Sequence, residues 1–305
     1  MNEPLSHYAR PGIIHFMLWP QTMGGEGPIA ETIKRLAADA DFEAIEVTRI
    51  NDPTARAHVR ATLETARMTV AFGAQPILLG GKLDLNAPGD ADRAAAIEAV
   101  QQAIDQAAEL GAVGLAVLSG PDPGEAGRKV ATDRLVDSLK WLSDYAARTG
   151  NLPIVLETFD RVPFGKNCLI GPNAEAAEVA RRVRRDFPSF GLMIDLSHLP
   201  LQGETPQQAA AATREFLVHA HMGNCVMRDP PHEAYGDNHP RFGVPGGEND
   251  VAELADYLRA LLDAGFLSHA RRPILSFEVK PLKGESVEAL VAGSKRTLAA
   301  AWAAV

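Results

Sequence analysis

The amino-acid sequence predicts an α/β protein folded as a single closed (β/α)8 barrel spanning residues 1–305. Three observations carry that expectation. Short β-rich apolar runs alternate with longer Ala/Glu/Arg-rich stretches of helical spacing, and the alternation repeats eight times, from a first strand to a last helix. Strands that alternate with helices run parallel and are joined by right-handed crossovers. A length of 305 residues suits eight such units closed on themselves. An open doubly wound sheet is the alternative, and it asks for a glycine-rich phosphate loop after the first strand. The segment "GGEG" at 24–27 has neither G-x-G-x-x-G nor G-x-x-x-x-G-K-[ST] spacing, and reads as a flexible loop.

In chain order, the strands are expected at "IIHFML" (13–18), "AIEVT" (44–48), "TVAFGA" (69–74), "VGLAVL" (113–118), "PIVLETF" (153–159), "GLMID" (191–195), "LVHAHM" (217–222) and "ILSFEV" (274–279). Each is a short apolar or β-branched run of strand length. The helical stretches between them fall near 28–40, 53–67, 89–110, 125–149, 172–185, 205–215, 250–264 and 285–303. Nothing resembling a Pro/Ser-rich linker or a low-complexity segment divides the chain, so one domain is expected. Two connections exceed what a barrel needs: 160–172, "DRVPFGKNCLIGP", and 223–249. Both follow strands, which puts them on the face where barrel active sites lie.

Composition narrows the function classes. A net charge of −9 argues against broad binding to nucleic acid, which requires basic surface. The two cysteines, Cys168 and Cys225, form no C-x-x-C pair and no disulfide framework, so a reducing compartment is expected. The N-terminal "MNEPLSHYARPG" lacks the pattern of a signal peptide, and "IIHFMLW" is too short to span a membrane. A cytoplasmic enzyme is the expectation, with no membrane and no nucleic-acid partner.

The chemistry is concentrated where strands end. The fifth ends in Glu157, the sixth in Asp195, the seventh carries His219 and His221, and the eighth ends in Glu278. In a closed barrel those ends converge on one mouth. Three carboxylates and one imidazole suit a hard to borderline divalent cation, and Mn²⁺, Mg²⁺ and Co²⁺ match the set better than a structural zinc. Without a cation the clustered carboxylates would repel one another. His219 and His221 share a strand face. His221, nearer the strand end, is taken as the ligand, and His219 as a hydrogen-bonded core histidine. His15, Glu46 and Gln75 read equally as mouth-lining groups or as structural polar groups. Phe16, Trp19, Phe72 and Phe159 read as core before they read as a sugar-facing wall, and Arg161 and Lys166 as surface charge or substrate contacts.

The set "LE" at 157, "DxxH" from Asp195 to His198, "HxH" and a final "FE" resembles the xylose isomerase-like TIM barrel superfamily. That superfamily includes sugar isomerases, ketose 3-epimerases, hydroxypyruvate isomerases, inosose dehydratases and endonuclease IV. The resemblance implies that Glu157 and Glu278 bind the metal and move protons, that Asp195 and His221 complete the shell, and that His198 contacts substrate. It also implies a small carbohydrate substrate, manganese as the leading cofactor with Mg²⁺, Co²⁺ or Zn²⁺ as alternatives, and possible association into a homo-oligomer through the outer helices. The shared chemistry is removal of a proton next to a carbonyl through an enediolate, leading to isomerisation, epimerisation or, in a lyase, β-elimination.

The segment "YGDNHPRFG" (235–243) in the second long connection places Asp237, His239 and Arg241 around Pro240, between two glycines. In the endonuclease IV branch a similar Asp-x-His joins the DxxH histidine in holding a further zinc, which here would be His198, Asp237 and His239. Gln75 and Ser119 stand where that branch draws further histidines, so a trinuclear zinc centre is not expected. The preferred reading gives His239 and Arg241 to substrate oxygens beside one metal. A second metal at His198, Asp237 and His239, or a self-capped turn, are the alternatives.

Overall fold

The computed structural model describes residues 3–162 and 164–305. Met1, Asn2 and Pro163, the last of these inside the connection expected at 160–172, lie outside the described residues. Eight parallel strands form a closed barrel in sequence order: β1 (Arg10–Ile14), β2 (Ala44–Val47), β3 (Thr69–Gly73), β4 (Leu115–Val117), β5 (Ile154–Glu157), β6 (Gly191–Asp195), β7 (Leu217–Gly223) and β8 (Ile274–Glu278). β8 closes the ring on β1 through the pairs Arg10–Ile274 to Ile13–Phe277. The eight expected helices are present, from Ile29–Ala37 to Val287–Ala304. Their starts are fixed locally. Asp52 caps the helix at Pro53, and Thr205 with Gln208 and Asp250 with Glu253 form capping boxes.

The first strand differs from expectation. The apolar run 13–18 is not one strand: β1 ends at Ile14, and His15–Leu18 is a single helical turn. The ladders explain this. Pairing to β2 stops at Ile14–Glu46 and pairing to β8 stops at Ile13–Phe277, so residues beyond Ile14 have no backbone partner on either side. A helical turn satisfies its own backbone groups and still buries Phe16 and Met17. Short apolar runs do not distinguish the two states by periodicity alone. Two further short helices, Gln75–Gly81 and His198–Gln202, follow β3 and β6 at the same end of the barrel.

Side chains on a strand alternate between the barrel interior and the helix layer. Inside, Ala44, Ala71 and Ile274 form one small cluster, and Ala116, Val155 and Met193 form another. These are separate from the large core between strands and helices. Two residues further along the same strand faces stand Glu46, Gly73, Glu157 and Asp195. The apolar plugs thus form a floor beneath a polar layer.

Both long connections are built segments. Asn224 staples the one after β7: its Oδ1 accepts from Asn249 N (2.8 Å) and its Nδ2 donates to the Arg241 carbonyl (2.9 Å). Gly236 N donates to the Val226 carbonyl (2.8 Å), and Val226, Ala234 and Val244 form a local apolar cluster. After β5, Asp160 accepts from the main-chain N–H groups of Lys166 and Asn167 at 2.9 and 3.0 Å. The two loops touch where the Phe164 and Tyr235 rings lie 5.3 Å apart and Lys166 Nζ donates to the Asp237 carbonyl (3.2 Å).

Gly236 is required at that junction. Its φ is +86°, and a Cβ there would sit 2.3 Å from the Phe164 carbonyl oxygen. Gly236→Ala is therefore expected to cost roughly 1–3 kcal/mol locally. Hydrogen exchange should rise in 224–250 and around Phe164 while the barrel strands keep their protection. Unchanged exchange in both loops would contradict this packing.

His15 adds a pH dependence away from the barrel mouth. Its Nε2 lies 2.7 Å from Thr32 Oγ1, and that hydroxyl donates onward to the Pro28 carbonyl at 2.8 Å. Burial lowers the imidazole pKa from 6.5 to about 3. The unfolded chain binds a proton between those values and the native protein does not, so this contribution to stability is present above pH 6.5 and is lost as pH falls towards 3. From pH 6.5 to 5 the loss should be roughly 2 kcal/mol. In urea melts, His15→Gln should show a shallower acid limb than the parent. Parallel limbs would sink the assignment.

Candidate metal centre and active site

Strand register brings the predicted ligands together. Asp195 on β6 pairs with His221 on β7, His221 pairs with Ser276 on β8, and Glu278 lies opposite Gly223. Glu157, Asp195, His221 and Glu278 each offer one ligand atom, and these atoms lie within 4.8 Å of one another. Glu157, Asp195 and His221 are at most 2% exposed and Glu278 is 9% exposed.

The arrangement has the chemistry of a cation site. His221 Nδ1 stands 2.7 Å from Glu278 Oε2 and 3.5 Å from Glu157 Oε1. All three atoms are buried, and none has a hydrogen-bond partner among the described residues. Buried polar atoms are normally satisfied, so three orphans facing one another call for a shared partner. Neighbouring ligands around a divalent ion with bonds of about 2.0–2.2 Å are separated by about 3 Å, which these spacings approach. The donor set, mostly carboxylate oxygen with one imidazole, matches a hard to borderline divalent ion.

Glu46 and Gln75, which the sequence leaves open between mouth-lining and structural roles, and Ser197 hold the predicted ligands. Glu46, in the middle of β2, presents one oxygen to two imidazoles: Oε1 is 2.8 Å from His219 Nε2 and 3.0 Å from His221 Nε2. With the His221 Nε2–H donated to Glu46, the Nδ1 lone pair faces Glu157 and Glu278. This is how a carboxylate behind a ligand histidine fixes its tautomer. His219 is the hydrogen-bonded core histidine that the strand pattern suggested. Gln75 Nε2 donates to Glu157 Oε2 (2.7 Å). Ser197, which the sequence reading missed, donates through N to Asp195 Oδ1 (3.0 Å) and through Oγ to Asp195 Oδ2. The signal for Glu46 was available in principle, as an acid flanked by β-branched residues in a strand that is buried throughout.

A second cluster adjoins the first. Asp195, His198 and His239 also offer ligand atoms within 4.8 Å of one another. His198 Nδ1 donates to the Thr158 carbonyl (2.8 Å), which leaves Nε2 3.3 Å from Asp237 Oδ1. His239 Nε2 is 2.8 Å from that same oxygen. His198 Nε2 and both Asp237 oxygens lack hydrogen-bond partners among the described residues. Burial opposes charge on Asp237, yet His239, His198 and Lys166 hold its carboxyl well below the usual carboxylate range. Burial likewise opposes charge on His198, and Asp237 and Asp195 overcome it, raising its pKa well above the ordinary value.

Arg241 does not join either group. Its Nε pairs with Glu285 Oε1 (3.0 Å), its Nη1 reaches the Gly243 carbonyl, and it lines a separate cleft with Phe242 and Ser286. The sequence reading assigns both His239 and Arg241 to substrate oxygens, with Pro240 between them. The left-handed backbone of His239 (φ 49°) and the fixed φ of Pro240 separate the directions of the two side chains. Arg161 is likewise engaged elsewhere, with Glu175 and the Leu169 carbonyl. Trp19 and Phe72 sit outside the cavity lining, whereas Phe16 and Phe159 belong to it. Cys225 is a buried thiol, its pKa pushed up by burial.

Above the ligands lies a cavity of about 350 Å³. Glu157, His221, Glu278, Asp237 and His239 reach it, as do Gln75, Lys166 and Lys280. The clustered carboxylates and imidazole at its base can hold a cation that faces the cavity. Among the described residues, no helix is long and apolar enough to cross a membrane.

No protein among curated sequences matches this chain. Solved structures do. A D-tagatose 3-epimerase-like protein aligns with a TM-score of 0.72 at 16% identity, covering 97% of this chain and 98% of its own. An L-ribulose 3-epimerase aligns at 0.72 and 19%, covering 97% and 96%. A 3-keto-D-glucoside 4-epimerase from E. coli aligns at 0.62 and 16%, covering 97% and 99%. At these identities the likeness is one of fold. The family model described as xylose isomerase-like TIM barrel matches residues 35–293, and with the strand-end residues in the register described above, the chain belongs to that family.

Proposed function

We propose that this protein is a divalent-metal-dependent sugar epimerase or isomerase that works by proton transfer next to a carbonyl. The observation that carries the reading is the placement of Glu157 and Glu278. Both reach the cavity, both keep a buried oxygen without a hydrogen-bond partner among the described residues, and both face His221 Nδ1. They stand on β5 and β8, three strands apart in a ring of eight. Glu157, Asp195, His221 and Glu278 would hold the ion, and manganese suits their oxygen-rich set. When bound, it would supply positive charge where negative charge develops on the substrate carbonyl.

The protein's own groups perform the rest. One glutamate takes the proton from the carbon next to the carbonyl, and the C–H electron pair moves into the carbon–carbon bond of an enediolate. The other returns a proton from the opposite face, which inverts that carbon, or to the neighbouring carbon while the hydroxyl proton passes to the former carbonyl oxygen, which moves the carbonyl. Gln75 holds Glu157 by its second oxygen, leaving Oε1 for the reaction side. Lys166 and His239 line the cavity within reach of substrate hydroxyls. Sugar epimerases are among the similarly folded structures, which agrees with this reading.

A second ion is the alternative use of the neighbouring cluster. The orphaned His198 Nε2 and the two Asp237 oxygens favour it over direct substrate contact by His198, which is fully buried.

NMR in D₂O of the manganese-free protein reloaded with Mg²⁺, a diamagnetic stand-in, should show deuterium entering the carbon next to the carbonyl of a ketose or keto-glycoside. Glu157→Gln and Glu278→Gln should each slow that exchange by about 10²–10⁴-fold. Full metal loading with no exchange on any keto-sugar would overturn the proposal. Glu46→Gln should weaken Mn²⁺ binding by roughly 10–100-fold in calorimetric titrations, because the negative charge behind the His221 imidazole is lost and the amide can turn its NH₂ towards the two rings. An unchanged affinity would remove Glu46 from the metal site.

A further inference from the structure

The cavity is two-sided. Its floor is the ligand cluster, and Lys166, Asn238 and Lys280 give one polar flank. The other flank comes from the segments after β1 and β3: Phe16, Met17, Met23, Pro76 and Leu79. Ile14, Phe16 and Met17 form an apolar cluster of their own, with Met23 packed on it, separate from the main core. Leu79 continues this wall to the rim and is 43% exposed, one of four large apolar side chains with such exposure among the described residues. Arg49, after β2, also lines the cavity between these segments, with its Nε donating to the Gly24 carbonyl, whereas the thioether, phenyl and isobutyl groups offer no hydrogen bonds. A free hexose carries an oxygen on every carbon and would leave its hydroxyls without partners along that side.

We propose that the substrate is a keto-sugar carrying an apolar aglycone, with the sugar over the metal floor and the aglycone lying along Phe16, Met17, Met23 and Leu79 towards solvent. The assignment of the sugar end rests on the function proposed above, whereas the apolar end rests on the wall itself. The wall begins beside the reactive floor and ends in the open, so one molecule can use both parts. Methionines there accommodate aglycones of differing shape.

Methyl and phenyl 3-keto-β-D-glucosides distinguish the outcomes when each is titrated calorimetrically into the metal-loaded protein. The phenyl compound is expected to bind about tenfold or more tightly, the gain from covering one ring face with apolar surface. Leu79→Ser and Met23→Ser are both outside the main core, so the fold and metal content serve as controls. Each substitution should shrink the phenyl-to-methyl ratio towards one. Equal affinities in the parent protein, or a ratio untouched by both substitutions, would overturn the proposal. A phenyl preference without deuterium exchange would uphold the wall and sink the reaction. Exchange without any preference would do the reverse.

Discussion

Five carboxylates, Glu46, Glu157, Asp195, Asp237 and Glu278, are buried at one end of this barrel, none more than 9% exposed. Desolvating that much negative charge is the constraint on which the rest of the mouth depends. The structure answers it in three ways. Imidazoles are interleaved with the acids, so that Glu46 meets His219 and His221, and Asp237 meets His198 and His239. Lysine 166 reaches in from another loop to within 3.4 Å of Asp237. The remaining oxygens are turned towards common points, where a divalent ion would neutralise them. The first two devices hold the acids in place, and the third leaves oxygens turned towards one another.

Much of this was legible in the sequence, and the reason is topological. A parallel barrel sends every strand the same way, so the last polar residue of each strand falls at one rim whatever the loops do. Glu157, Asp195, His221 and Glu278 needed no knowledge of long-range contacts. Glu46, Gln75 and Ser197 were harder, because their roles are defined by partners 173, 82 and 2 positions away and only the last separation is local. Arg241 failed for a different reason. Its direction depends on a left-handed residue two positions before it, and backbone handedness at a histidine has no periodic signature. The run 13–18 failed because the limit of a strand is set by its neighbours' lengths as much as by its own residues.

The clustered acids and the flanks of the cavity are also held by different parts of the molecule. Glu157, Asp195, His221 and Glu278 stand on strands locked by ladders on both sides. The apolar wall comes from the helical turns after β1 and β3, and the polar flank from the long connections after β5 and β7. A change in either flank can reshape the cavity without moving the carboxylates. The converse also holds, since the strand ends are packed beneath by Val155, Met193 and the other small plugs.

The stapling of the 224–250 connection carries one more implication. Its fastenings engage main-chain groups: Asn224 holds the Arg241 carbonyl and the Asn249 N–H, Gly236 pairs with Val226, and the carbonyl of His239 accepts from Lys280 N at 2.7 Å. A loop tied by its backbone keeps its shape when the side chains it displays are exchanged. The segment is thus an adaptable surface on a fixed frame, whose displayed side chains inheritance can rewrite, one residue at a time, without first having to refold it.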